Sequence, residues 1–207
     1  GGFAALLPEL RPLVAGIELA DSITFDAHKS LSVPMGAGIF LTRHRDILER
    51  TFRVGADYMP RDGDGATAAL PDPFAHSMQW SRRFIGLKLF LSLAVAGWEG
   101  YRSALRHQVA MGDLLRREAQ AQDWSVVNPT PLPLVLLQDK GGADGAKLDV
   151  IVRVVVASGA AWVSTVRCRA PRGEFTAIRA CITNYRTQPE DVRALLAALA
   201  AARAAAL

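Results

Sequence analysis

Cysteine is scarce in this 207-residue chain, which holds only Cys168 and Cys181. Neither has a second cysteine or a histidine at the spacing of a zinc site or a redox pair. Both lie in apolar, strand-like surroundings, so we expect reduced core residues, as is typical of cytoplasmic proteins. The sequence therefore excludes a disulfide scaffold and gives no candidate for a metal site.

Long hydrophobic runs and clusters of one charge are also missing. The most apolar stretch, residues 84–97, is too short to span a bilayer and contains Lys88. The net charge is +4, but no basic run is longer than a pair such as Arg82-Arg83. We therefore expect a soluble cytoplasmic protein that binds neither nucleic acid nor membrane.

Half of the residues are hydrophobic, so the chain can form one large core or two small ones. The pattern in the first part predicts a short helix over 8–20, strands over 22–26 and 39–42, and a helical turn over 46–51. Residues 55–74 are rich in Gly, Pro and Asp, which predicts a long loop.

The strongest helical pattern covers residues 81–122. Gly97 and Gly100 should bend or break this helix. A continuous helix of that length would reach about 60 Å, so we expect it to link two lobes. The apolar residues of this helix lie on one face: Leu87, Leu91, Ala94, Trp98, Tyr101 and Leu105. The four tryptophans of the chain are expected in the core: Trp80, Trp98, Trp124 and Trp162.

The last third predicts a small sheet covered by helices. Strands are predicted over 132–137, 162–167 and 175–183, and a capping box of Thr187 and Glu190 begins a final helix. Residues 148–158 can be helix or strand; we favour helix because Gly159 can cap it. The predicted domains are residues 1–110 and 111–207, the second with an α+β pattern.

The chemically most informative run is Asp26-Ala27-His28-Lys29-Ser30, directly after a predicted strand. A catalytic amine needs a fixed position and a lowered pKa, which partial burial beside a strand end can provide. His28 and Ser30 can donate hydrogen bonds to a phosphate. The alternative is a surface lysine that makes one ion pair.

Residues 20–36, which include this run, closely resemble the lysine segment of group II pyridoxal-phosphate-dependent decarboxylases. That family includes aromatic amino-acid, glutamate, histidine and tyrosine decarboxylases. The resemblance implies that Lys29 holds pyridoxal 5'-phosphate as a Schiff base and that His28 lies beside the phosphate. Asp26 stands where many members carry Asn or Asp near the phosphate.

The resemblance covers nearly the whole chain. Residues 77–84, 87–90 and 97–101 resemble the segment that enters the interdomain helix, and residues 179–187 resemble a C-terminal strand. It implies an α/β fold of the fold type I PLP-dependent transferases. The chain would supply the end of the large domain, a long connecting helix and a small C-terminal α+β domain.

Two further residues gain roles from this resemblance. Tyr58 matches a loop tyrosine that protonates the carbanion left after carbon dioxide departs, and a phenol keeps its proton at neutral pH. Alternatively, its ring packs against the base of the loop. Arg179 lies in an apolar strand and needs an anionic partner: the substrate carboxylate by resemblance, or a structural carboxylate.

One expected group has no candidate in the sequence. Pyridoxal chemistry needs a carboxylate beside the pyridine nitrogen. In the resembling family this Asp precedes a Tyr-Gly-Gly-Phe-like run, of which Gly1-Gly2-Phe3 resembles the tail. We therefore expect a missing N-terminal part of the same protein, and weak cofactor binding by this polypeptide alone.

The function implied is α-decarboxylation of an L-amino acid to an amine by a homodimer. An aminotransferase, a carbon–carbon lyase or a desulfurase would keep the fold and change the reaction. A related branch oxidises the amine to an aldehyde and replaces the loop tyrosine, so Tyr58 argues against it. A non-catalytic fragment or a dimerisation subunit is the alternative of another class.

Overall fold

The first twenty residues form short 3-10 helices in the computed structural model, which describes residues 1–55, 73–171 and 173–206. These helices span Gly2–Leu6, Pro8–Val14 and Ile17–Leu19. The α-helix predicted over 8–20 is therefore wrong in type. Pro12 lies inside the second segment and has no backbone N–H to donate. Gly16, with φ of 87°, lies between the second and third segments.

A β-hairpin follows, as predicted. Strands β1 (Ser22–Asp26) and β2 (Gly38–Thr42) pair antiparallel, with Asp26 opposite Gly38. The short helix α1 covers Ile47–Phe52, and a 3-10 turn covers Pro73–His76. A small core lies where the two strands meet the connecting turn: Ala27, Val33 and Ala37, packed against Leu31, Ile39, Ile85 and Leu89.

The long helix α2 spans Gly86–Ala121 and is broken at Gly97, where φ is 62° and ψ is 177°. The predicted break is thus confirmed. The two arms differ in burial. Leu91, in the middle of the first arm, and Trp98, just past the break, are 52% and 58% exposed. The second arm buries a stripe at helical spacing: Tyr101, Leu105, Gln108, Met111, Gly112, Leu115 and Ala119.

The C-terminal part is a four-stranded antiparallel sheet with the order β3-β4-β6-β5. Its strands are β3 (Trp124–Val126), β4 (Leu134–Asp139), β5 (Ser164–Ala170) and β6 (Gly173–Cys181). Helices α3 (Gly145–Ala157) and α4 (Pro189–Ala205) pack with the second arm of α2 on one face. The helix favoured for 148–158 is confirmed, and Gly159, with φ of 72°, follows its end.

The main core lies between this sheet and these helices. It includes most of the largest fully buried side chains among the described residues: Leu115, Trp124, Val135, Leu137, Leu148, Ile151, Ile178, Leu196 and Leu199. Leu105 of α2 belongs to a separate small core with the 3-10 helices of the first part. Burial of each such side chain stabilises the fold by roughly 2 kcal/mol. The C-terminal part therefore has enough apolar packing to hold its own arrangement.

A close approach seats α2 on this sheet at Gly112. A Cβ added there would lie 2.8 Å from the Cα of Pro133, just before β4. Since no real side chain tolerates that distance, glycine at this position allows the helix to contact the backbone of the sheet directly. This contact sets the distance between the second arm of α2 and the backbone that enters β4.

Arg203 of α4 packs against the edge of the main core. Its guanidinium lies 4.8 Å from the centre of the Trp124 ring and 3.1 Å from Asp139 Oδ1. The Asp139 side chain is only 6% exposed. A buried carboxylate needs a paired cation, so Arg203 joins the last helix to the end of β4.

Two details of the sequence interpretation were wrong here. The capping box of α4 uses Gln188 and Asp191, one residue later than the predicted pair of Thr187 and Glu190. Cys168 is partly exposed and Cys181 is exposed, so neither is a core residue, although both are free thiols.

Within the described ranges, no helix has the length and apolar character needed to cross a membrane.

Candidate cofactor site

Lys29 lies in a tight turn at the end of β1. The backbone N–H groups of Ala27 and His28 both donate to the carbonyl of Ala37, at 2.8 and 3.4 Å. Ser32 N–H donates to the Lys29 carbonyl at 3.0 Å, and Ser32 has a positive φ of 55°. These bonds close the turn on itself, so the backbone that carries the lysine has a defined shape.

The Lys29 ammonium contacts the carboxylate of Asp26, with Nζ 2.8 Å from Oδ2. The hydrogen bond from Lys29 holds the pKa of Asp26 below its ordinary value, although loss of hydration opposes this shift. The side chain of Lys29 is 64% exposed, so the described residues do not supply the partial burial that we expected. The ion pair of the alternative interpretation is present.

His28 is oriented by a backbone carbonyl. Its Nδ1 lies 3.2 Å from the Ala37 oxygen, which can only accept, so Nδ1 carries the proton and donates. Nε2 has no partner among the described residues and remains for a ligand. A phosphate would accept a hydrogen bond from Nε2 when the ring is cationic. His28 and Lys29 thus share one turn, and His28 Nε2 has no partner among the described residues.

The first arm of α2 contacts the lysine turn. Lys88 Nζ donates to the carbonyl of Met35 at 2.9 Å, and Ile85 and Leu89 pack on the small core under the turn. A cavity of about 510 Å³ lies beside the turn, between Ser30, Leu31 and Ser32, both arms of α2, and Tyr185. The lysine turn therefore borders open space of the size that a small ligand needs.

Gln108 is a residue of this region that the sequence interpretation missed. It is completely buried on the second arm of α2. Its Nε2 donates to the carbonyl of Thr183 at 3.2 Å and to that of Ser30 at 3.4 Å. A glutamine in the buried stripe of α2 is the signal that could have identified it.

Arg179 lies on β6, opposite Leu136 of β4 and Ser164 of β5. Its neighbours Ile178 and Ala180 belong to the main core, so Arg179 points to the other face of the sheet. It is half-buried and makes no hydrogen bond or ion pair with any described residue. The structural ion pair considered for it is therefore absent from the described part of the chain.

Tyr58 falls in residues 56–72, outside the described residues. The structure thus brings Lys29, His28 and Asp26 together in one turn and places Arg179 on a separate strand. Within residues 1–55, 73–171 and 173–206, no cluster of His, Cys, Asp or Glu could hold a metal ion.

The fold matches that of solved fold type I pyridoxal-phosphate enzymes. TDC from Oryza sativa, solved with PLP and tryptamine, superposes with a TM-score of 0.81 at 21% identity. The match covers 99% of this chain and 43% of that one. At this identity the likeness establishes the fold alone, an α/β arrangement of helices and small sheets.

The family follows from the sequence matches. Residues 1–138 match the pyridoxal-dependent decarboxylase conserved domain, and the chain belongs to that family. Aromatic-L-amino-acid decarboxylase from Bacillus atrophaeus is 30% identical over 200 residues, covering 92% of this chain and 40% of that protein. The Sus scrofa enzyme of the same name is 28% identical over 194 residues, covering 93% and 38%. The chain thus spans about two fifths of the length of these curated relatives.

Proposed function

We propose that this chain carries the lysine-bearing part of the active site of a PLP-dependent L-amino-acid α-decarboxylase, with Lys29 as the attachment residue. The observation that carries the proposal is the exposed Lys29 amine, paired with Asp26 at 2.8 Å in a turn closed by backbone hydrogen bonds. The turn lies within the residues that match the decarboxylase domain.

The described residues fit the attachment end of the cofactor. An amine that is 64% exposed can be reached by an aldehyde, and His28 Nε2 is left for the phosphate. Asp26 holds the ammonium in place and would have to release it when the amine loses its charge. When bound, pyridoxal phosphate withdraws electrons from the α-carbon of an amino acid, which allows the carboxylate to leave as carbon dioxide.

Two residues would act on the substrate. We assign Tyr58 as the acid that returns a proton to the α-carbon after carbon dioxide has left; proton transfer of this kind contributes about 10²- to 10⁴-fold to rates. We assign Arg179 as a partner of the substrate carboxylate, because its guanidinium has no anion among the described residues. Tyr58→Phe should abolish most amine formation, and Arg179→Met should raise KM.

The attachment is tested by trapping. The full-length protein is incubated with pyridoxal phosphate, reduced with borohydride and mapped by mass spectrometry. We expect the phosphopyridoxyl group on Lys29 and its loss in Lys29→Ala. Lys140→Ala is the matched control, because Lys140 is also exposed and donates only to the carbonyl of Gln120. Labelling spread over Lys88, Lys140 and Lys147 in place of Lys29 would contradict the proposal.

The reaction is tested by its products. An α-decarboxylase releases carbon dioxide and an amine, whereas an aminotransferase releases a keto acid. We expect carbon dioxide and amine in equal amounts from an L-amino acid. Release of a keto acid alone would favour the second candidate, another enzyme of the same fold.

We further propose that a homodimer and an N-terminal part of the same protein cover the exposed apolar residues around the site. Phe90 and Val95 on the first arm of α2 are 66% and 89% exposed. Apolar side chains grouped in this way are typical of surfaces that contact other chain segments or subunits.

We place the domain boundary near residues 110–111, because the α2 residues of the main core begin at Met111. Sedimentation of the full-length protein should give a dimer.

A further inference from the structure

Gln108 occupies an unusual position for a polar side chain. It lies on the second arm of α2 and is fully buried, without contact to solvent. Fully buried amides are retained only where hydrogen bonds offset the cost of removing them from water. The partners of Gln108 therefore indicate why a polar residue interrupts the apolar stripe.

Both partners are backbone carbonyls from distant parts of the chain. Nε2 donates to the oxygen of Ser30, next to Lys29, and to the oxygen of Thr183, just after β6. Because carbonyl oxygens only accept, the NH₂ group of Gln108 must face them. Oε1 is buried and has no partner among the described residues. Two bonds made through one NH₂ group thus connect the lysine turn to the C-terminal sheet.

The neighbouring residue strengthens the same connection. His107 Nε2 lies 2.6 Å from the carbonyl of Thr187, which can only accept, so the ring donates. Consecutive residues of α2 therefore bind both ends of residues 183–187. Tyr185, inside that segment, borders the cavity that also contacts Ser30 and Ser32. Arg179 lies on β6, four residues before Thr183, which follows the end of that strand.

We infer that Gln108 is a positioning residue, which fixes the Lys29 turn relative to the strand end that follows Arg179. Its side chain would not touch cofactor or substrate. It would act by holding two backbone segments, one on each side of the site, at a set separation. The significance for catalysis rests on the proposed function, whereas the connection itself does not.

The first test needs no cofactor. Hydrogen exchange of the full-length protein is compared for wild type, Gln108→Met, Gln108→His and Gln120→Met. Methionine keeps the length of the side chain and removes both donors, whereas histidine retains a ring N–H. Gln120 lies on the same helix but is exposed, which makes it the matched control.

We expect faster exchange in Gln108→Met at both ends of the connection, with partial recovery in Gln108→His and no change in Gln120→Met. The amides to follow are those of Ser32 and Val33 in the turn, and of Ile182 and Thr187 after β6. Faster exchange at one end only, or uniformly over the chain, would overturn the inference.

The second test separates positioning from simple loss of folded protein. Irreversible loss of folded protein lowers the amount of cofactor bound without moving the half-saturation concentration, whereas reversible unfolding raises it by the reciprocal of the folded fraction. The folded fraction of each variant is therefore measured by circular dichroism, and the half-saturation concentration is corrected for it. A displaced Lys29 turn should raise that concentration by roughly tenfold in Gln108→Met, with recovery in Gln108→His. An unchanged half-saturation concentration overturns the inference. If wild type binds no cofactor, the proposed function fails, and the exchange experiment still decides the role of Gln108.

Discussion

The two parts of the chain are similarly apolar in sequence but bury their apolar side chains to very different extents. Phe84 and Val95, before the break in α2, are 79% and 89% exposed, whereas Leu137 and Leu196 are fully buried. The first part consists of a two-stranded hairpin and short helices, which offer few faces to pack against. The comparison shows that the extent of a core depends on the size of the elements that face one another, since the first part forms only small cores, such as that of Phe3, Ala4, Leu7 and Leu10 with Leu105.

The largest contrast should come from the same substitution in a strand of each part. Leu137→Ala in β4 removes a fully buried side chain and should lower the free energy of unfolding by about 3 kcal/mol. Leu41→Ala in β2 removes one that is 52% exposed and should cost less than about 0.5 kcal/mol. Urea denaturation measures both. Equal losses of unfolding free energy would mean that another surface covers β2 in solution. The two parts of the chain would then not differ in burial.

A smaller contrast is expected between two ion pairs. Arg203→Ala leaves the buried Asp139 carboxylate without its cation and should cost roughly 3 kcal/mol. Arg106 binds Glu9 through Nε and Nη2, at 2.7 and 3.3 Å, but both side chains are about half exposed. Arg106→Ala should therefore destabilise the protein much less than Arg203→Ala.

Thermal unfolding of both arginine variants in low and high salt sharpens this comparison. Added salt should reduce the effect of Arg106→Ala and leave that of Arg203→Ala nearly unchanged, because buried pairs are screened less. A salt-sensitive effect at Arg203 would show that Asp139 is accessible to ions in solution.

The smallest effect concerns the Lys29–Asp26 pair on the surface of the first part. Its hydrogen bond lowers the pKa of Asp26, so the pair adds to stability above the pKa of an unfolded aspartate. That contribution is lost as the pH falls through the lower pKa of the folded state. An NMR titration should show the lowered pKa of Asp26, its return toward the ordinary value of an aspartate in Lys29→Ala, and no change in Lys140→Ala.

Local signals predicted much of the fold. Alternating apolar residues located β1 and β2, and a positive φ at Gly159 follows the helix that we favoured over 148–158. The break at Gly97 was also predicted. These features depend on backbone preferences within a few residues, which is the information that a single sequence carries most directly.

Features that depend on distant contacts were predicted poorly. The apolar stripe of α2 runs evenly through the sequence, but only its second half meets the sheet and is buried. Trp80, Trp98 and Trp162 are exposed, whereas Trp124 is the one tryptophan in the core. Periodicity identifies a face of a helix, but the presence of a facing element decides whether that face is covered.

The candidate site also contains features that depend on neighbouring residues and features that depend on distant contacts. Lys29, His28 and Asp26 are adjacent in sequence, so their shared turn followed directly from their spacing. Gln108 is 78 residues from Ser30, and its role depends on two backbone carbonyls that no side-chain pattern reveals. A polar residue inside a buried stripe is nevertheless a visible anomaly in the sequence.

The break at Gly97 determines the orientation of one lobe relative to the other. A Cβ there would meet nothing within 4 Å, so the backbone angles alone, not lack of space, favour glycine. Because the helical backbone angles are interrupted at this residue, the two arms follow separate axes. Leu89 of the first arm packs against the small core beside the Lys29 turn, and Gln108 of the second arm donates to the carbonyl of Ser30. One pair of backbone angles thus sets the direction between the helix that supports the lysine turn and the helix that packs on the C-terminal sheet.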